Sequence, residues 1–312
     1  MKSQNLSGQV GGPVDHAYHV AVLGEILWDL IDGSARLGGA PLNFAVHSMR
    51  LGHESTLISA LGEDELGSRA RLAIGSYGLS TRFIQTAARL PTGTATVELS
   101  LNGQNSFRIP RPAAFDGLDL SDDEVRCVAA WMPQWLYYGT LFMGTAEGMR
   151  TLRRLMCALP KAKKFYDINL RPESYTPQLV LDLLGLADVV KLNEPEMECV
   201  ADLAGLPIYT IEAFCRAGAA RFGWRVACVT LGARGCAIWN GKDYAEAQGY
   251  EVEVADTVGA GDGFAAALLH GLARGWRPGD LGAFANRVGA LIASRPGAIP
   301  DWDLNEVCGT IP

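Results

Sequence analysis

The sequence predicts an α/β fold of three layers: a mostly parallel central sheet, helices on both faces, and a small β lid set apart from it. Three observations predict it. From Trp135 onward, strand-like runs alternate with helix-like runs, the pattern of an open parallel sheet. Between Thr94 and Leu101, polar and apolar residues alternate one for one, which marks a strand with one wet face. Near the C-terminus a glycine-rich turn opens a helix, Phe264–Ala273, that is apolar nearly all round and so belongs in the interior.

The elements follow in order. His19–Gly24 and Ile26–Ile31 read as strands. After the turn Leu37–Gly39 a helix runs from about Pro41 to Leu51, with proline in its first turn. Glu54–Ala60 is a strand and Glu65–Tyr77 a helix. Thr94–Leu101, a turn at Asn102-Gly103 and a return over Ser106–Ile109 make a small antiparallel element. The regular part then uses strands Trp135–Tyr138, Lys164–Ile168, Asp188–Leu192 and Arg225–Leu231. Helices near Glu147–Ala158, Gln178–Gly185, Glu194–Ala204 and Ile211–Phe222 separate them. Thr176-Pro177 supplies a cap and first position. Cys236–Asn240, Asp243–Ala247 and Glu251–Ala255 are further strand-like runs, and Leu281–Ala293 is a last helix. Residues 1–17 read as a flexible polar tail. Residues 18–312 read as one domain carrying the lid from about 26–37 and 94–112.

Composition narrows the function. Of 312 residues, 48% are hydrophobic and 20% charged, so a large core is expected. A net charge of −7 argues against a nucleic-acid or anionic-membrane partner. No apolar run reaches the ~18 residues of a membrane span, and the first 17 residues lack a signal-peptide centre. Seven scattered cysteines without a CxxC pair suit buried thiols in a reducing cytoplasm, not a disulfide or zinc framework. A cytoplasmic location is the expectation.

The most informative segment is Asp256-Thr-Val-Gly-Ala-Gly-Asp-Gly-Phe264. N–H groups at Gly259, Ala260 and Gly261 would make an anion-binding nest at a helix start. Asp262 beside such a nest repels phosphate, yet it suits a base that takes a proton from an attacking hydroxyl. A structural glycine turn with a helix-start aspartate is the alternative. A dinucleotide fingerprint fits poorly, because Phe264 replaces its third glycine and no acidic residue follows at the ribose position. No GxxxxGK[ST] loop occurs.

DTVGAGDGF resembles the C-terminal signature of the ribokinase-like (PfkB) carbohydrate kinases. Gly38-Gly39-Ala-Pro-Leu-Asn43 and Gly62-Glu-Asp-Glu-Leu-Gly67 resemble the N-terminal one. Asp167–Arg171, Lys191–Glu196 and Thr230–Gly235 follow in the family's order, so the resemblance covers roughly 19–300. GEILWDLI and GGAPLN are most similar to the fructokinase branch.

The resemblance implies a ribokinase-like fold and transfer of the ATP γ-phosphoryl to a sugar hydroxyl, fructose first among acceptors. Other ketoses, ribose-type sugars and nucleosides stay open. It implies Asp262 as base with the Gly259, Ala260 and Gly261 amides beside it. Asp29, Gly38, Gly39 and Asn43 would hold the sugar, with Arg108 and Arg171 as further contacts. Thr230, Gly232, Gly235, Gly261 and Asn286 would lie on the nucleotide side. Asn193 and Glu196 would hold magnesium through water, although a capped helix start explains that pair equally. Asp256, with Ser294–Ala298, is offered for a monovalent cation such as potassium. A closing lid would exclude water, and in relatives it also mediates dimers, so a homodimer through the lid is expected. A non-catalytic sugar or nucleotide sensor on the same fold is the competing class. An NAD-dependent oxidoreductase is disfavoured by the broken fingerprint. Trp28, Phe44, Phe107 and Tyr138 would shape the pocket or pack the core.

Overall fold

In the computed structural model, which describes residues 17–31, 33–99, 105–171 and 173–308, strands gather into two sheets. Residues 1–16 of the expected tail and the Asn102-Gly103 turn lie outside the described residues. The larger sheet contains β1 (His19–Leu23), β4 (Glu54–Gly62), β5 (Ile84–Ala87), β8 (Trp135–Tyr138) and β9 (Lys163–Asp167). It continues through β10 (Val189–Asn193), β11 (Val226–Thr230), β12 (Gly235–Trp239) and β13 (Tyr244–Gln248). Their spatial order is β13-β12-β11-β10-β9-β8-β1-β4-β5. Pairing is parallel from β11 to β5 and antiparallel only where β12 and β13 extend one edge. The smaller sheet has the order β3-β2-β6-β7, from β2 (Leu27–Ile31), β3 (Ser34–Gly38), β6 (Gly93–Leu99) and β7 (Asn105–Arg108).

The parallel strands are buried on both faces, and their alternate residues feed two cores. Ala21 and Leu23 of β1, with Leu136 and Tyr138 of β8, face one core. Val20, Val22, Trp135 and Tyr137 face the other. The first core is closed by α3 (Asp122–Ala130), α4 (Ala146–Ala158), α5 (Pro177–Leu184), α6 (Glu194–Ala204) and α7 (Ile211–Phe222). The second is closed by α1 (Ala40–Arg50), α2 (Glu65–Ser76), α8 (Ala260–Ala273), α9 (Pro278–Ala293) and α10 (Leu304–Cys308). The all-round apolarity of α8 has its cause here: residues 263–271 are buried between the sheet and its helical neighbours α1 and α9.

Local chemistry starts the helices where the residues indicate. Thr176 Oγ1 accepts from Leu179 N at 3.2 Å, and Pro177 takes the first position. Ser121 and Glu124 form a reciprocal capping box that begins α3, a helix the pattern of apolar residues alone does not announce. Asp64 accepts from Gly67 N at 2.7 Å and starts α2.

Three differences from the expected elements have physical reasons. Glu251–Ala255 is not a strand among the described residues. No neighbouring strand pairs with it, and the N–H groups of Ala255 and Asp256 both bond Ala293 O at the end of α9. β3 and β5 were not expected as strands, because each is short and finds its partner only in the fold. The thiols are not uniformly buried: Cys215, Cys228 and Cys236 are, whereas Cys127 and Cys157 are exposed. No helix among the described residues is long and apolar enough to cross a membrane.

Candidate active site

The carboxyl ends of the parallel strands open into a cavity of about 270 Å³, roofed by the smaller sheet. Its position is the one expected of ligand sites in open α/β sheets. β9 delivers Asn169 and Arg171 just past its end, β10 delivers Lys191 and Asn193, and β11 delivers Thr230. Leu27, Asp29 and Ala95 come from the smaller sheet, and Gly39, Ala40 and Asn43 from the start of α1. Thr257, Val258, Gly259, Gly261 and Asp262 close the cavity at the start of α8.

Asp262 stands in the first turn of α8 and accepts a 2.8 Å hydrogen bond from Asn43 Nδ2. It keeps some surface, but that surface faces the cavity. Desolvation therefore dominates and pushes its carboxyl up to about 6, with Asp167 adding to the rise. The Asn43 bond, Lys191 and Arg171 oppose it. A carboxylate poised near neutrality suits proton abstraction.

The turn before it is held by backbone geometry. Gly259 has φ +82°, and a Cβ there would lie 2.3 Å from Ala298 O, so only glycine lets the late loop approach. Ala260 N donates to Thr257 O at 3.3 Å, while Asp262 N and Gly263 N both donate to Gly259 O. The expected three-amide nest is thus narrower. Ala260 closes the turn, and Gly259 and Gly261 are the residues whose N–H groups have no backbone acceptor among the described residues.

Beneath the cavity lies a buried ion pair. Lys191 Nζ donates to both oxygens of Asp167, at 3.0 and 3.2 Å, and Tyr137 donates to the same carboxylate at 3.2 Å. Burial opposes the lysine charge, but Asp167, Glu196 and Asp262 outweigh it and hold its pKa above the ordinary value. Lys191 Nζ lies 3.5 Å from where a Cβ on Gly261 would sit, so a cation underlies the turn.

The other expected residues fall in different places. Asp29 lines the cavity, and burial raises its carboxyl to about 6 against the pull of Arg171. Gly38 sits against the Asp29 carboxylate without lining the cavity. Arg108 ends β7 with an exposed side chain and does not line the cavity, so it is not brought there as Arg171 is. Asn286 is buried, and its amide donates to Ala247 O and Gln248 O at 3.0 and 3.1 Å. Its donors pin the end of β13 to α9 and are spent. Gly232 and Gly235 frame the short turn between β11 and β12, outside the cavity lining.

Glu196 and Asn193 form a capping box on α6: Glu196 N bonds Asn193 Oδ1 at 2.9 Å, and Asn193 N bonds Glu196 Oε2 at 2.8 Å. Glu196 Oε1 accepts from Leu170 N at 2.8 Å. Burial raises its pKa, with Lys191 and these N–H groups pulling the other way. Each oxygen keeps a second lone pair. Among the described residues no cluster of three His, Cys, Asp or Glu side chains could hold a metal. This donor set fits magnesium held on phosphates through its own waters, not a protein cage. Asp256 has a different partner from the one expected. Its carboxylate accepts from Val258 N, Gly297 N and Arg36 of β3, the last at 3.0 Å. Arg36, 53% exposed, is thus one of three donors around this carboxylate.

Of the aromatic residues, Trp28 and Tyr138 are buried and Phe44 stacks on Tyr137 at 3.8 Å, all as core. The side chain of Phe107 lies outside the described residues. Sequence reasoning missed Glu25, Lys191 with Asp167, Asn169 and Thr257. A carboxylate set in an apolar run needs partners, a signal that Glu25 carries in the sequence as Asp29 does. Asn169 carries φ +42°, which only coordinates reveal.

A larger groove of about 770 Å³ runs between α3 and α4. Its Arg150 and Arg154 already pair with Asp119, Glu147 and Asp122, and it lies apart from these groups.

A raised carboxylate at a glycine-rich helix start, on the carboxyl edge of a parallel sheet, is an arrangement that suits a phosphotransferase of the open α/β type. Residues 22–304 match the pattern of the pfkB family carbohydrate kinases. The chain belongs to that family, so it is a phosphotransferase with a sugar hydroxyl as acceptor. It is 30% identical to a fructokinase of Klebsiella pneumoniae over 303 residues, covering 93% of this chain and 91% of the relative. A fructokinase of Vibrio cholerae O395, solved with fructose, ADP and calcium ion, is 25% identical with TM-score 0.73, covering 90% of this chain and 94% of that one. A 2-dehydro-3-deoxygluconokinase of Thermotoga maritima has TM-score 0.79 at 19% identity, covering 94% and 97%. That last likeness is one of fold.

Proposed function

We propose that this protein phosphorylates a neutral sugar from ATP, with fructose the leading acceptor. One observation carries the proposal: Asp262, held by Asn43, faces the same cavity as Asp29, Arg171 and the Gly259–Gly261 turn. Asp29 and Asn43 orient the sugar so that one primary hydroxyl meets Asp262. Asp262 takes its proton as the hydroxyl oxygen bonds the γ-phosphorus and the bond to the β-phosphate oxygen breaks, giving sugar phosphate and ADP. The N–H groups of Gly259 and Gly261 and the α8 dipole stabilise the charge on the transferring phosphoryl. Asn193 and Glu196 would hold magnesium through water, and the ion would supply positive charge to the nucleotide phosphates. Closure of the smaller sheet excludes water, and Arg36 docks it on Asp256.

The Klebsiella and Vibrio relatives support fructose, and the ADP in the Vibrio structure supports ATP as donor. The test is ADP release with magnesium and ATP across free ketoses, aldoses, ribose-type sugars and nucleosides. One preferred acceptor, fructose foremost, is the expected result. Nucleotide binding without turnover on any acceptor would transfer the proposal to a sensor. We also propose a homodimer through the smaller sheet, checked by sedimentation of the purified chain.

A further inference from the structure

Glu25 lies two residues past the end of β1 and is only 6% exposed, yet it lines the cavity. Its Oε2 has no hydrogen-bond partner among the described residues. Asn43 Oδ1 shares that condition: the residue is 4% exposed, lines the same cavity, and spends its Nδ2 on Asp262. A buried acceptor left unmade costs roughly 1–3 kcal/mol, so two on one wall point to donors delivered by a ligand.

Charge narrows what the ligand is. Three carboxyl groups, from Glu25, Asp29 and Asp262, line the cavity, against the single guanidinium of Arg171. The Lys191 charge is already matched by Asp167 at 3.0 Å. An anionic acceptor would bring a carboxylate or phosphate to this acceptor-rich wall, whereas a polyol brings the O–H donors it lacks. The fold is shared with a kinase of an acidic sugar, so the side chains and not the architecture make this choice. Burial also lifts the Glu25 carboxyl to about 7, with the residue's own backbone N–H, Arg171 and Arg111 lowering it and Asp262 raising it.

We propose that Glu25 is a specificity-determining residue that accepts a hydrogen bond from an acceptor-sugar hydroxyl and, with Asn43 Oδ1, selects neutral polyols over sugar acids. This rests on the sugar-kinase function proposed above.

The experiment compares wild type, Glu25→Gln and Glu25→Leu. It measures kcat/KM for fructose, its monodeoxy analogues and 2-dehydro-3-deoxygluconate, together with KM for ATP and thermal stability. Glu25→Leu is expected to lower kcat/KM for fructose ~100-fold, the upper scale of one lost hydrogen bond to a charged group. Glu25→Gln, which keeps an acceptor oxygen, is expected to lose under tenfold. One monodeoxy fructose should be used equally by wild type and Glu25→Leu, because the contact is then absent from both. KM for ATP should stay within twofold and the melting temperature should not fall. Fructose kinetics unchanged in both variants would overturn the inference. So would a parallel fall in stability and in the use of every acceptor, which a structural role produces, with Glu25→Gln deciding if Glu25→Leu does not fold. Wild-type protein that turns over no sugar would overturn the kinase proposal and this inference together. Turnover with discrimination indifferent to Glu25 would overturn this inference alone.

Discussion

Replacing Asp262 by asparagine should stabilise the protein while disabling it, and the gain should depend on pH in a set way. Burial lifts the Asp262 carboxyl from 3.8 to about 6. At about 1.4 kcal/mol per decade, the ionised form carries up to about 3 kcal/mol in the folded state. This is an upper figure, because the side chain keeps some surface. The sign follows from the direction of the change. Below pH 3.8 the group is protonated in both states and costs nothing. The penalty grows between pH 3.8 and about 6 and is complete above that. The substituted amide would be uncharged throughout, and its oxygen could still accept from Asn43 Nδ2. Urea unfolding of both proteins at pH 4, 5, 6 and 8 should show the mutant's advantage rising with pH and levelling off near pH 7. At pH 8 it should be up to about 3 kcal/mol, or roughly 5 °C in melting temperature for a chain of this size. A mutant less stable than wild type at pH 8, or a difference independent of pH, would refute the electrostatic description of the site.

Three further outcomes follow from the same geometry. Sugar kcat/KM should fall about tenfold per pH unit below pH 6 as Asp262 is protonated; a profile flat down to pH 5 would contradict this. Arg36→Ala removes the 3.0 Å pair that docks β3 on Asp256. Because Arg36 is 53% exposed the pair is worth at most about 1 kcal/mol, so sugar KM should rise up to about fivefold with KM for ATP unchanged; an unchanged sugar KM would remove the latch. Lys191→Met leaves Asp167 buried with Tyr137 as its remaining side-chain donor among the described residues, and denaturant unfolding should show about 3–5 kcal/mol lost; a loss below about 1 kcal/mol would show that the pair contributes little.

Much of this architecture was legible because local and global signals agree. The α8 segment reads as buried from its composition, and it is buried between the sheet, α1 and α9. The one-for-one alternation after Thr94 belongs to β6, which sits in the separate small sheet. The strand-like look of Glu251–Ala255 misled, since periodicity reports which faces differ and not whether a partner strand exists. At the site, residues flagged by turn chemistry, such as Gly259 and Asp262, do line the cavity. What stayed hidden depends on register and distance. Lys191 and Asp167 are opposite one another across β9 and β10, a pairing that no spacing within either strand expresses. Asn286 and Arg108 could be placed on their elements, but not turned toward or away from the cavity. Asp256 attracted attention as a cation ligand, while the arginine that pairs with it lies 220 residues earlier in the chain.

The most direct test of the central claim is single-turnover phosphoryl transfer from ATP to the preferred sugar by wild type and Asp262→Asn, with both ligands' affinities measured separately. The account predicts a transfer rate lower by ~10²- to 10⁴-fold in the mutant with affinities altered only a few-fold. Equal transfer rates would contradict the assignment of Asp262 as the base.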